Sequence, residues 1–462
     1  MLAGLAAEPL AWVIALGLGL ALVALSALRR PPEAARALCF TLGFTLALTA
    51  PLGGLLDRAW LGSFPTIDKE GSLLFYLDGV HVRALLHPIA ALQDPAVQLI
   101  GVHLGHLWPV AALDALGLSA MGAFNAVGLL SIAGAWWAAW LLAREAGADS
   151  RLALWAAAPF GLGLHVLRDL NWYTIEKAAV GWLALFAFLL LRAARRGGRW
   201  PPLAGLAYAL MCWMNLYLGL VGAALGGLAL ACAAARRWRA GRADAGAEPT
   251  LPSPALTLRN IGLSCVFCAG FALPLVVAQA LLMRGAAPLG TPEQFLWQRA
   301  ALDSVTLSPL MWNRMEPLPA LCSPLVVLSI WGLWRARGEA LARYSAAAIL
   351  VLTAISLGPA LGPELKNPVY LALARGVPGL WRVAKPEVFF EGAFLLLLTW
   401  AALALTRLVP EGARRAASMA LAAAMVAWFL GVVRAHPAYP GFSAPVESRL
   451  NAGWERRGQA GE

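Results

Sequence analysis

Twelve apolar runs on the scale of a bilayer crossing recur along the 462 residues of this chain, and no other feature constrains its fold as strongly. A spanning helix needs about 20 mostly apolar residues, with a range of roughly 17 to 25. The runs lie at 8–28, 36–56, 121–143, 151–168, 177–193, 201–216, 218–235, 260–283, 318–335, 341–361, 390–408 and 414–434. The sixth and seventh are short and share one unbroken apolar stretch. Lipid offers no hydrogen-bond partner, so a spanning segment must satisfy its backbone internally, as a helix does. The expectation is an all-α polytopic membrane protein of about 12 transmembrane helices, one integral membrane domain over 1–462.

Charge supports this reading and orients it. Only 13% of the residues are charged, against about 25% in an average soluble domain, which excludes a water-soluble globule, a disordered chain and a DNA-binding module. The net charge of +11 has a positional explanation. The connections at 29–36, 144–151, 192–200, 236–259, 335–343 and 407–415 carry 20 of the 36 basic residues, and their net charge is +13 against −2 for the remainder. Cytoplasmic loops concentrate Arg and Lys, so these connections are expected inside and no nucleic-acid partner is needed. The 236–259 connection, rich in Arg, Ala and Pro, is expected to be a solvated cytoplasmic linker.

The first run carries Glu8, has no basic residue before it, and is followed by Arg29-Arg30-Pro31-Pro32. That layout is the reverse of a cleavable signal peptide. It predicts an uncleaved helix with the N-terminus outside, and the count puts the polar tail 435–462 outside as well. The apolar stretch 97–118 decides the parity. If it crossed, every later basic cluster would fall outside, so it is expected at the outer interface or as a re-entrant segment. The 20 Trp residues, many near span ends, suit an interfacial belt. The six Cys lie within or beside apolar runs, and Cys265-x-x-Cys268 has no partner pair for a zinc site. There is no P-loop and no Gly-x-Ser-x-Gly elbow.

The outer connections hold the residues able to do chemistry. In the first extracytoplasmic loop, 57–120, apolar residues recur at Leu73, Leu77, Val80, Leu85, Ile89 and Leu92, a helical stripe expected to lie in the membrane surface. Asp68 precedes it in a turn-like stretch and is the candidate general base, with Asp57 and Asp78 as alternates. His103 and His106 share a helical face and are weak candidates for metal ligation. Arg382 and Lys385, three apart just before a span, suit a phosphate at headgroup depth, though snorkelling serves the same pair.

The order of four segments resembles the GT-C superfamily of membrane glycosyltransferases. They are the Asp68 loop, the stretch Leu116-Gly117-Leu118-Ser119-Ala120-Met121-Gly122-Ala123-Phe124-Asn125, Ile355-Ser356-Leu357-Gly358-Pro359 closing a span, and Trp381-Arg382-x-x-Lys385 before a long apolar helix. The resemblance covers roughly 50–410. It implies a GT-C-like fold with extracytoplasmic interfacial helices in a bacterial cytoplasmic (inner) membrane. It also implies inverting transfer of a sugar from a polyprenyl-phosphate-linked donor to an acceptor on the extracytoplasmic face, in contact with membrane lipids. Asp68 would take the acceptor proton, and Arg382 and Lys385 would steady the departing lipid phosphate. No cofactor is certain, and a divalent cation stays open. Members often show Arg-x-Pro-x-(Arg or Lys)-Phe, where this chain has Arg382-Val383-Ala384-Lys385-Pro386-Glu387-Val388-Phe389. The competing readings are a lipid or sugar transporter or flippase, and a non-catalytic subunit of a cell-envelope assembly.

Overall fold

Long runs of Leu, Ala, Val and Phe with few turn residues leave the backbone one way to satisfy its amides without water, and the chain takes it. A computed structural model describes residues 16–27, 32–49, 105, 107–118, 120–163, 179–240, 252–282, 318–359, 366–376 and 388–435. Apart from a one-turn 3-10 helix at Glu411–Ala413, the regular elements among them are α-helices, with no strand. In chain order these are α1 (Leu16–Ser26), α2 (Glu33–Thr49), α3 (Leu107–Ala115), α4 (Ala120–Ala146), α5 (Ser150–Leu162), α6 (Gly181–Arg196) and α7 (Trp200–Met214). There follow α8 (Leu216–Ala240), α9 (Pro254–Leu282), α10 (Leu318–Arg335), α11 (Ala340–Ser356), α12 (Pro368–Gly376), α13 (Val388–Leu408) and α14 (Arg414–Ala435). A helix therefore occupies each of the twelve expected segments. Among the described residues four helices are long and apolar enough to cross a membrane: Ala126–Ala146, Leu216–Ala240, Pro254–Ala278 and Val388–Leu408.

The observed helix boundaries have local causes. The shared run 201–235 is divided by a single residue. Asn215 is extended (φ −158°, ψ 112°), and its side-chain oxygen accepts the amides of Tyr217 (2.8 Å) and Leu218 (3.4 Å), capping α8 as α7 ends. The two helices fold back on each other there, with Gly222 against Met211 and Tyr208. The linker expected at 236–259 is helical at both ends, since α8 continues to Ala240 and α9 begins at Pro254. Within 97–118 the described helix, α3, is nine residues, about 14 Å long. Gly117, with φ +93°, closes it in the left-handed conformation that glycine favours.

The chain divides into two compact units. In the unit formed by Met1–Trp137, Gly161–Gly181 and Met419–Glu462, α1 and α2 meet backbone to backbone: a Cβ on Gly43 would stand 2.6 Å from the Gly19 carbonyl oxygen. Small residues permit such approach in lipid, where packing rather than water expulsion holds helices together. Phe40 and Phe44 each meet Trp136 edge-on.

The unit formed by Ala138–Phe160 and Trp182–Ser418 is built around α13. This helix buries 78% of its apolar span, against 17% for α9, and the contrast separates a central helix from a peripheral one. Gly392 of α13 sits between Val221 and Leu352, Gly332 of α10 against Ala404, and Phe394 beside Phe160. Val266, Phe271, Leu273, Val276 and Val277 of α9 remain exposed. A contiguous apolar face of this kind is untenable in water and suits lipid.

Candidate functional site

The described polar chemistry of the second unit gathers at two places, one where α11 gives way to α12 and one where the arginine-rich connections meet. The first contains the motif Ile355-Ser356-Leu357-Gly358-Pro359. The helix ends at Ser356, and Gly358 turns the chain with φ +67°, again the left-handed region that favours glycine. Asn367 then ties the two helices. Its amide nitrogen donates to the carbonyls of Ala354 (2.9 Å) and Gly358 (2.8 Å), and its oxygen accepts the backbone N–H groups of Val369 and Tyr370 (both 3.2 Å). One buried side chain thus satisfies orphan acceptors at the end of α11 and orphan donors at the start of α12. Asn367→Ala is expected to destabilise the fold by about 3 kcal/mol, a lost cap plus newly unpaired buried carbonyls. The measurement is the unfolding midpoint of the purified protein in detergent, and an unchanged midpoint refutes the role.

Three residues further along, Tyr370 is fully buried, and its hydroxyl has no hydrogen-bond partner among the described residues. Burial pushes its phenol up to about 12, so it is neutral and able to donate at physiological pH. An unpaired buried hydroxyl costs about 1–3 kcal/mol. Tyr370→Phe is therefore expected to raise the unfolding midpoint, and a lowered midpoint would mean that the hydroxyl is bonded in the folded protein.

The second place is an electrostatic knot. Glu145, at the end of α4 and nearly buried, faces Arg192 at 3.7 Å and Arg195 and Arg196 at 3.9 Å. Arg195 also donates to the Glu145 carbonyl. Burial lowers the Arg195 guanidinium from its ordinary value, and Glu145 opposes that shift. Arg192 in turn lies 4.2 Å over the Trp200 ring. Asp149 caps α5 through Arg151 and Leu152, pairs with Arg414 at 3.6 Å, and its backbone N–H donates to Thr406. Glu339 binds Arg407 at 2.9 Å. Gly197 lies against the Asn260 side chain, and Arg236 donates to the Pro252 carbonyl and to Thr257. Five connections separated by up to 270 residues of sequence therefore meet at one end of the helices of this unit.

Beneath that end lies a cavity of about 860 Å³, at the upper part of the range of about 300–1,000 Å³ for ligand sites. Its mouth carries Arg236, Arg239 and Arg343, and its walls run inward past Leu142, Leu225 and Leu396. None of its described lining residues is acidic. The walls are rich in Ala from α6 and α8, whose short side chains leave the space unfilled.

Of the residues singled out from sequence, Asp57, Asp68, Asp78, His103, His106, Arg382 and Lys385 lie outside the described residues. Among the described residues no three His, Cys, Asp or Glu side chains stand together as a metal site. Sequence reading passed over Asn367, Tyr370 and Glu145. The Asn367-Pro368 pair is a helix-start signal that would have revealed the first, whereas nothing local marks Glu145 as the partner of arginines some fifty residues on. No family model and no curated protein matches the chain.

Proposed function

We propose that this chain is a membrane glycosyltransferase of the GT-C type, which moves a sugar from a polyprenyl-phosphate donor to an acceptor on the extracytoplasmic face of a bacterial inner membrane. In this reading all twelve helical segments cross the bilayer, with both termini outside. The observation that carries it is the meeting of five arginine-bearing connections at one end of the helices. By the positive-inside rule that end faces the cytoplasm. The connections that alternate with them along the chain then share the outer face, and among these are the Asp68 loop and the segment bearing Arg382 and Lys385.

Chemically, a transfer of this kind asks for a base toward the acceptor hydroxyl and for cations beside the departing phosphate. Asp68 would remove the acceptor proton as the hydroxyl attacks the anomeric carbon from the face opposite the leaving group. Arg382 and Lys385 would bind the phosphate oxygens, whose charge grows as the bond to the sugar breaks. Among the described residues no Asp, Glu, Lys or Arg is fully buried, and the most enclosed acid, Glu145, lies at the basic end rather than along a midplane pathway of the kind a transporter uses.

The test is transfer by the purified full-length protein in proteoliposomes, using labelled polyprenyl-phosphate sugars and following label released from the lipid. Tag accessibility provides the geometric arm. Cysteines placed at His81 and Trp381 are expected to react from the same, extracytoplasmic side. Reaction from opposite sides would separate the acid from the cations and overturn the proposal.

A further inference from the structure

We propose that the arginine-mouthed cavity beneath the basic end is a binding site for one anionic amphiphile, a lipid with a phosphate headgroup whose chain fills the shaft. The inference does not rest on glycosyl transfer and holds whether or not the chain is an enzyme.

The argument begins with charge. Arg236, Arg239 and Arg343 converge on the mouth from the end of α8 and the start of α11, and no described lining residue is acidic. Among the described acids of the neighbouring connections, Glu145 pairs with Arg192, Arg195 and Arg196, Asp149 with Arg414, and Glu339 with Arg407. Arg239 and Arg343 are exposed, so their guanidinium groups need no desolvation of the core to meet an anion. Arg236 is held by the Pro252 carbonyl and by Thr257 at the first turn of α9, which fixes its direction. Guanidinium groups present forked donors that match phosphate oxygens.

Shape excludes a free anion as the natural occupant. From Arg239 to Leu225 the lining extends fourteen residues along α8, about 21 Å. On α13 it reaches Leu396 and Trp400, eleven and seven residues before Arg407, about 16 and 10 Å from that end. A phosphate ion would use the mouth alone and leave an apolar shaft of that depth empty. A long alkyl chain fills the shaft and holds its headgroup at the arginines. The basic end is also where a lipid headgroup arrives, because anionic lipids attract Arg-rich surfaces at the membrane face.

Native mass spectrometry of the detergent-purified full chain tests this with three probes: a phosphatidic acid, the phosphatidylcholine with the same chains, and inorganic phosphate. Phosphatidic acid is expected to be retained at one per protein, phosphatidylcholine at least tenfold more weakly, and millimolar phosphate is expected to leave the bound lipid in place. Arg239→Gln with Arg343→Gln removes two exposed cations without touching the core and is expected to weaken phosphatidic acid at least tenfold, the loss of about one charge-assisted contact. Ala229→Leu with Ala233→Leu narrows the shaft and is expected to abolish retention while the mouth stays intact. Equal binding of phosphatidylcholine would reduce the cavity to a nonspecific lipid slot. Displacement by inorganic phosphate would reduce it to an anion site, and unchanged retention in both double variants would remove the lipid from the cavity. Each of these three results overturns the proposal.

Discussion

Replacing Asp68 with Asn is expected to abolish sugar transfer in the proteoliposome assay, a loss of about 10²- to 10⁴-fold, the usual contribution of a positioned general base. The amide is nearly the same size as the carboxylate, so the loop and its membrane insertion should be kept. On the proposed mechanism, what disappears is the lone-pair site that would take the hydroxyl proton. Donor binding depends on the phosphate contacts, so the binding of the labelled donor should change little while turnover collapses. Asp57→Asn and Asp78→Asn are the controls, and both are expected to retain transfer. If Asp78→Asn alone is inactive, the base is Asp78 and the loop geometry assumed for Asp68 is wrong. Full activity of the Asp68→Asn enzyme would remove that residue from the mechanism.

Glu145→Ala is expected to damage stability as severely as Asn367→Ala. The side chain is 9% exposed and faces three guanidinium groups, at 3.7 to 3.9 Å. Removing the acid leaves like charges clustered against the end of α4 with no compensating anion. Breaking a buried ion pair costs about 3–5 kcal/mol. The lower end, about 3 kcal/mol, applies here because Arg196 is more than half exposed and water screens its share. The measurement is the unfolding midpoint in detergent together with the yield of monodisperse protein. Partial recovery by adding Arg196→Ala, the most exposed of the three, should accompany it, because the repulsion then falls. A Glu145→Ala protein with wild-type stability would show that the three arginines hold the α4–α6 corner by hydrogen bonds and ring contacts alone.

How much was legible beforehand depends on how far apart the interacting residues are. The helices at 121–143 and 390–408 were readable because each is apolar over its full length and satisfies its own backbone. The division of 201–235 into two segments was readable to within about two residues, but the residue that makes it was not, since nothing in the apolar run singles out Asn215. It becomes visible only once the side chain is seen capping α8 while Gly222 lets the helix fold back onto Met211. The motif ending in Pro359 was noticed as a span closure, yet its role as a partner of Asn367 was invisible, because the two are joined by hydrogen bonds across a turn. The candidate outer acids and cations were chosen on residue type and position, and they lie outside the described residues.

Hydrophobic run length and the placement of arginines are local and additive along the chain, so sequence by itself determined that this is a helical membrane protein and which connections belong together by charge. Tertiary structure alone decided that α13 is the central helix and α9 a peripheral one, although both are apolar throughout. A leucine facing lipid and a leucine facing another helix carry the same hydropathy, and only the neighbours distinguish them. The same holds for the arginine-mouthed cavity. Its alanines are ordinary helix formers in sequence, and they enclose space only because α4, α6, α8, α9, α11 and α13 all line the same cavity.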